Sequence, residues 1–298
     1  MEVSIIIPCY NKEQYIEACI QSILTQEFRS FEIIMVDDGS TDRTGYLCDQ
    51  IATFDTRVNV YHTANGGVTA ARKFGFDHST GKYIMFIDCD DQLMPNAIQT
   101  LYDNIERTQA DEVIGAHKTQ MGSICDSGLR GWQDTSFMIN DLLALHNSFC
   151  VLWGIIFRKD ILTGCLDTPR DIINGEDIMM QIKVLMKNPK VYFIEDLVYL
   201  YNFGLPNNRA FTLARVQLFD TELKQTLQPR WEEFRNGYLL HCIKTYENHL
   251  WRRNFDIINY YRPLKKENLS HIPIKDRIVF CLPLPIAYWL VWIKKKMN

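Results

Sequence analysis

The sequence predicts an α/β fold: a mostly parallel central sheet flanked by helices, followed by a mainly helical C-terminal region. Three observations carry this prediction. Short apolar runs at 3–8 (VSIIIP), 31–36 (FEIIMV), 58–62 (VNVYH) and 83–87 (YIMFI) alternate with segments of helical periodicity. Most of these runs are near-continuous, as in strands buried on both faces of a parallel sheet. Polar clusters then follow strands three times, as "PCYN", "DDGSTD" and "DCDD", at the edge where such sheets bind ligands.

Between the strands, Tyr15, Ile16, Cys19, Ile20, Ile23 and Leu24 recur at helical spacing, and Asn11 and Gln14 are spaced as an N-cap and its partner. A second helix is expected from about Asp42 and a third over 67–78. A fourth covers "MPNAIQTLYDNIERT", with Pro95 in its first turn. After residue 120 the pattern loosens. It still indicates a helix near 137–146, a strand at 149–157, a helix at 176–187 and strands near 190–201, with helices beyond 210.

The 298 residues suffice for one large or two modest domains, and no repeat or low-complexity tract interrupts them. A net charge of -4 gives no general reason to expect nucleic-acid binding. The nine cysteines are odd in number, scattered and without a C-x-x-C pair, which points to a reducing, cytoplasmic setting. The start, "MEVSIIIPCYN", has no basic n-region and does not read as a signal peptide.

Asp88, Asp90 and Asp91 lie within four positions at the end of a buried run. Clustered carboxylates repel, so they call for a compensating cation or a solvated turn; capping of the next helix is the plainer alternative. Mg²⁺ or Mn²⁺ is usually held by one or two carboxylates, with phosphate oxygens and water completing the shell. In "VDDGSTD", Gly39 turns the chain and Ser40 or Asp42 can cap a helix, yet the two acids Asp37 and Asp38 exceed what a cap needs and suit ribose hydroxyls or a base N–H. The first strand is not followed by G-x-G-x-x-G, so a dinucleotide-binding loop is not expected. Tyr10 could stack on a base or belong to the core. Arg72 and Lys73 lie on a helix facing the same edge, although each taken singly reads as a solvated face residue, and Glu176 and Asp177 occupy a helical first turn, where acids also suit the dipole. His62, His78 and His117 read as ordinary core or surface residues.

Taken together, "VSIIIPCYN", "FEIIMVDDGSTDRT", "NGGVTAARKFGF", "GKYIMFIDCDD" and "GEDI" resemble, in order and spacing, glycosyltransferase family 2 with its GT-A fold, over about the first 200 residues. The resemblance implies a catalytic domain at 1–205, with a nucleotide-binding half to about 115 and an acceptor-binding half from 116, and a helical region at 206–298. It implies a donor nucleotide beside Pro8, Tyr10, Asn11, Asp37 and Asp38, with Tyr10 and Asp38 against the base and Asp37 ordering the turn. Asp88, Asp90 and Asp91 would hold the ribose and the diphosphate with its Mn²⁺ or Mg²⁺, Asp90 foremost, and Arg72 would lie near the diphosphate. Asp177 would be the catalytic base, with Glu176 beside it. Trp153, in "FCVLWGIIFRKDIL", is a candidate acceptor contact or a core tryptophan. "YLYNFGLPNNRAFT" departs from the family's usual Y-R loop and leaves only Arg209 as a candidate there.

The implied activity is inverting transfer of a hexosyl or N-acetylhexosaminyl group from a nucleotide-sugar to a saccharide. UDP is favoured by family frequency, and the acceptor would be lipid-linked, in bacterial surface polysaccharide synthesis. A nucleotidyltransferase acting on a sugar phosphate is an alternative, although "PCYNKEQ" lacks its glycine-rich basic loop. The other is a non-catalytic sugar-nucleotide binding subunit, which would have no use for Asp177. Residues 278–293 are strongly apolar but fall short of the about 20 residues of a membrane span, and Pro283 and Pro285 break them. Tyr288, Trp289 and Trp292, with Lys265–Lys266 and Lys294–Lys296 nearby, fit an interfacial anchor within 278–298 on the anionic cytoplasmic face of the inner membrane; a helix docked on the domain is the alternative.

Overall fold

The structure, a computed structural model, describes residues 1–146, 149–202 and 210–297. They divide into two compact units: Met1–Thr135, Ser148–Arg170 and Glu176–Asn208 in the first, Ser136–Asn147, Asp171–Gly175 and Arg209–Asn298 in the second. In chain order the elements up to the middle are β1 (Val3–Cys9), α1 (Ile16–Leu24), β2 (Phe31–Asp37), α2 (Thr44–Phe54), β3 (Val58–His62), α3 (Val68–His78), β4 (Tyr83–Phe86), β5 (Gln92–Leu93), α4 (Ala97–Thr108) and β6 (Glu112–Thr119). They continue as β7 (Ile124–Cys125), β8 (Gly131–Gln133), α5 (Thr135–Leu143), β9 (Ile155–Arg158), α6 (Glu176–Leu185), β10 (Val191–Tyr201), α7 (Leu213–Leu227), α8 (Trp231–Trp251), α9 (Phe255–Tyr261), α10 (Ile274–Cys281) and α11 (Leu284–Met297).

The first unit is built on one sheet with the order β3-β2-β1-β4-β9-β6-β10-β5. β1 pairs in parallel with β2 and β4, and β2 with β3, as the continuous apolar runs require. One sheet face packs Ile5, Ile7, Ile33, Met35 and Met85 with Ile16, Ile20 and Ile23 of α1 and Leu101 and Ile105 of α4. The other packs Ile34 and Val36 against Ala71, Tyr61 and Phe74. Each fully buried isoleucine contributes about 1.5–3 kcal/mol over its exposed state. On this second face α3 lies close to β1: a Cβ on Gly75 would meet Ile6 Cγ2 at 2.5 Å. That close approach sets the height at which Arg72, three residues earlier, meets the carboxyl edge of the sheet.

β9 runs antiparallel to both β4 and β6, and so joins the parallel set β3-β2-β1-β4 to the parallel pair β6–β10. Several elements differ from expectation. Helix α1 starts at Ile16, because Asn11 adopts a left-handed φ of 51° and its side chain accepts from Thr41 N at 2.8 Å instead of capping a helix. Pro95 precedes α4, whose N-cap is Asn96. The strand expected at 149–157 pairs only from Ile155, with Trp153 making a lone bridge to Phe86. The segment 190–201 is one strand, not several, with register shifts between Phe193 and Leu197 and again before Tyr199. β6 is a strand that the periodicity does not announce.

The second unit is helical, with Leu239, Cys242, Ile243, Tyr246, Ile257, Ile258 and Phe280 at its centre. The apolar run 278–293 is divided at 282–283 between α10 and α11. α11 buries Ala287 and Val291, four residues apart, and exposes Ile286, Trp289 and Trp292 on another face; α10 exposes Ile274 and Ile278. Lys296 Nζ sits 4.1 Å from the Trp292 ring, while the side chains of Lys294 and Lys295 lie outside the described set. Among the described residues no helix is long and apolar enough to cross a membrane.

Candidate active site

The ends of β1, β2 and β4 carry the three polar clusters to one edge of the sheet. Asp37 closes β2. Its Oδ1 accepts from Ser40 N at 3.1 Å, and its Oδ2 lies 2.9 Å from His62 Nδ1. His62 Nε2 is 3.1 Å from Asp49, and these two carboxylates, Asp37 first, raise the imidazole above its ordinary pKa. Gly39 turns the chain at φ +70°, with no room for a side chain: a Cβ there would meet Asn65 N at 2.9 Å. Asp38 is buried and accepts from Gly66 N at 2.7 Å and Gly67 N at 2.8 Å, which fixes the start of α3. Asn11 closes the turn from the other side, its N–H donating to Ser40 Oγ at 3.1 Å. Pro8 is partly buried near the end of β1, and the ring of Tyr10 is exposed.

The three acids after β4 part company. Asp88 Oδ1 accepts from Arg72 Nη2 at 2.9 Å, and Asp90 Oδ2 accepts from Lys12 Nζ at 2.5 Å. Asp91 points inward, 1% exposed, where its oxygens accept from Tyr199 Oη at 2.8 Å and Asn202 N at 2.7 Å. Burial, with the charge of Asp88 added, pushes the Asp91 carboxyl up to about 8. Tyr199 Oη also accepts from Asp88 N at 3.1 Å, so one phenol braces two of the acids. Among the described residues no three or more His, Cys, Asp or Glu converge as a metal-binding group. A Mg²⁺- or Mn²⁺-type ion that keeps phosphate oxygens and water needs only one or two carboxylates, and Asp88 and Asp90, both partly open to solvent, fit that demand.

Arg72 joins this edge to α6. Only 2% exposed, it donates from Nη1 to Asp177 Oδ1 at 2.5 Å and from Nη2 to Asp88. Burial alone would lower its pKa, but the charges of Asp177 and Asp88 outweigh burial and hold it above its ordinary value. Asp177 and Glu176 open α6. The side chain of Asp177 is 23% exposed, whereas Glu176 is buried. Lys73, by contrast, forms an exposed pair with Asp77 within α3. Trp153 is buried, stacked on Tyr199 (centroids 4.5 Å apart, 12° between planes) and on Tyr201 (5.2 Å, 15°), with His117 edge-on at 4.6 Å. Arg209 lies outside the described residues.

Sequence reasoning did not single out Lys12, Tyr199 or Asn202. A lone lysine ahead of a helix looks solvated, and the other two sit at the end of a strand with nothing local to mark them. Only the pairing of β10 with β6 and β5 brings them near 88–91.

The sequence profile described as Glycosyl transferase family 2 matches residues 4–164, more than half of the chain. The uncharacterized glycosyltransferase EpsJ of Bacillus subtilis is 44% identical over 213 residues, which cover 67% of this chain and 60% of EpsJ. The minor teichoic acid biosynthesis protein GgaA of the same organism is 27% identical over 215 residues, 66% of this chain and 46% of GgaA. The chain thus spans less than two thirds of the length of the curated relatives it matches. Among solved structures, S. aureus TarS 1-349 in complex with UDP-GlcNAc aligns with a TM-score of 0.64 at 18% identity, over 88% of this chain and 90% of that one, a likeness of fold. With its motifs gathered on one sheet edge and the family profile spanning them, the chain belongs to glycosyl transferase family 2.

Proposed function

We propose that this protein is an inverting glycosyltransferase that moves a sugar from a UDP-sugar to a saccharide acceptor in bacterial surface polysaccharide synthesis. The observation that carries the reading is the guanidinium of Arg72, shared between Asp88 on the donor edge and Asp177 at the start of α6. It holds a partly exposed carboxylate one side chain away from the acids that would face a diphosphate. In this reading Tyr10, Asn11, Pro8, Asp37 and Asp38 shape the nucleotide site, with the exposed Tyr10 ring as the stacking surface. Asp88 and Asp90 would hold the divalent ion, and Asp91 braces the turn through Tyr199 and Asn202. When bound, that ion would neutralise charge building on the departing diphosphate. Asp177 accepts the proton of the acceptor hydroxyl as its oxygen attacks the anomeric carbon from the opposite face, so configuration inverts; Glu176 supports the helix start. Residues 1–205 form the catalytic domain, with Trp153 and its stacked tyrosines as the acceptor-side floor. The names borne by GgaA and by the TarS complex support UDP and a cell-surface acceptor.

Incubation with UDP-, GDP- and dTDP-sugars and Mn²⁺ tests this. Slow release of free UDP from a UDP-sugar is expected. Pyrophosphate release would instead favour the nucleotidyltransferase, and binding without turnover toward any saccharide would favour a non-catalytic subunit.

The same reading includes peripheral contact with the cytoplasmic membrane face through α10 and α11. Ile286, Trp289 and Trp292 lie on the face of α11 opposite its buried residues, beside a lysine-rich end. That combination suits the boundary of an anionic bilayer. Flotation with vesicles containing phosphatidylglycerol should carry the protein upward, and I286S/W289S should leave it at the bottom of the gradient. Equal flotation of both, or of neither, would remove the contact.

A further inference from the structure

Lys12 is held by its backbone and carries its ammonium group to the acids after β4. Its N–H donates to the buried hydroxyl of Thr44 at 2.7 Å, and its carbonyl accepts from Tyr15 N and Ile16 N. Its ammonium group reaches across 78 sequence positions to Asp90 Oδ2 at 2.5 Å, with the lysine side chain 30% and the aspartate 18% exposed. The acids after β4 are therefore balanced one by one, Asp88 by Arg72, Asp90 by Lys12 and Asp91 by neutral donors. The two cations differ in kind. Arg72 is buried with two carboxylate partners, whereas a lysine is a compact point charge on a flexible stem that can swing away.

We propose that Lys12 is a built-in substitute cation, holding Asp90 until a nucleotide diphosphate and a divalent ion arrive together and the ion takes its place. The proposal rests on the glycosyltransferase reading, which supplies the diphosphate. An ammonium group and a dication cannot share one carboxylate oxygen without repulsion, so Lys12 opposes the ion when no phosphate is present. The negative diphosphate reverses that balance, attracting the ion and the released ammonium alike. Ion and nucleotide are thereby coupled, and the coupling is reciprocal.

Mn²⁺ binding followed by electron paramagnetic resonance, with and without UDP, tests this without any turnover. Wild type should bind Mn²⁺ weakly alone and much more tightly with UDP. K12Q should bind Mn²⁺ alone at least about tenfold more tightly, with the enhancement by UDP reduced accordingly. K12R, which grips Asp90 through a fixed fork, should weaken binding of Mn²⁺ alone. K82Q, at the separate Lys82–Glu106 pair, should change neither. Unchanged or weaker binding of Mn²⁺ alone by K12Q, or the same change in K12Q and K12R, overturns the proposal. If wild type binds no UDP even with Mn²⁺, the UDP-sugar reading falls; if it binds UDP and K12Q leaves Mn²⁺ affinity unaltered, only the role of Lys12 falls.

Discussion

Replacing Asp177 with Asn is expected to slow sugar transfer by about 10²- to 10⁴-fold while leaving UDP binding nearly unchanged. The amide oxygen can still accept from Arg72, so the start of α6 keeps its place, but the side chain no longer accepts a proton. Arg72 loses one of its two charged partners in a buried setting, and a modest fall in stability, on the order of 1–3 kcal/mol, should accompany the kinetic loss. Turnover with a fixed UDP-sugar, thermal melting and UDP titration, run on one preparation, separate the two effects. A variant that melts lower yet turns over at the wild-type rate would remove Asp177 as the base and leave it a structural partner of Arg72.

The second large effect concerns stability. Glu112, at the start of β6, is fully buried; Gln181 Nε2 donates to its Oε1, and its Oε2 has no partner among the described residues. Burial pushes the carboxyl from its ordinary 4.5 up to about 8. A group with a raised folded pKa contributes its full stability below the unfolded value and loses it as pH rises toward the folded value. The protein should therefore lose stability between about pH 4.5 and pH 8 on account of this group alone. E112Q removes the titration, and its amide can pair with both polar atoms of Gln181. The variant should match wild type near pH 4.5 and exceed it by about 3 kcal/mol at pH 7, on the order of 6–12 °C in melting temperature. Parallel melting curves across that range would show that Glu112 is not held neutral in the fold.

Legibility in the sequence follows how local the physics is. β1 and β2 are apolar runs whose burial needs no distant partner to be guessed, and their bounds, like those of the less buried β3, emerge within about a residue. β6 escapes notice because Asp111, Glu112, His117 and Lys118 break any apolar alternation. Their compensation lies elsewhere: Arg158 and Lys190 N at Asp111, Gln181 at Glu112, the Trp153 ring at His117. Within the site, Asp37, Asp38 and Asp88–Asp91 stand out since each follows a strand and exceeds what a turn needs. Their division of labour does not, because Asp88, Asp90 and Asp91 are chemically alike and differ only in what faces them: Arg72, Lys12, and Tyr199 with Asn202. Lys12 stays hidden for the same reason, as its meaning lies wholly in a residue 78 positions away.

Tyr199 gives this arrangement an evolutionary cost. Its ring stacks on Trp153, which also stacks on Tyr201, and its hydroxyl is a brace under the neighbouring acids. Trading Trp153 for a smaller ring would let that phenol drift and slacken its hold on Asp88 and Asp91. On the proposed acceptor-side role of Trp153, adaptation to new acceptors is cheaper away from the stack than within it, so diversification should proceed by remodelling peripheral segments while the stacked rings stay fixed.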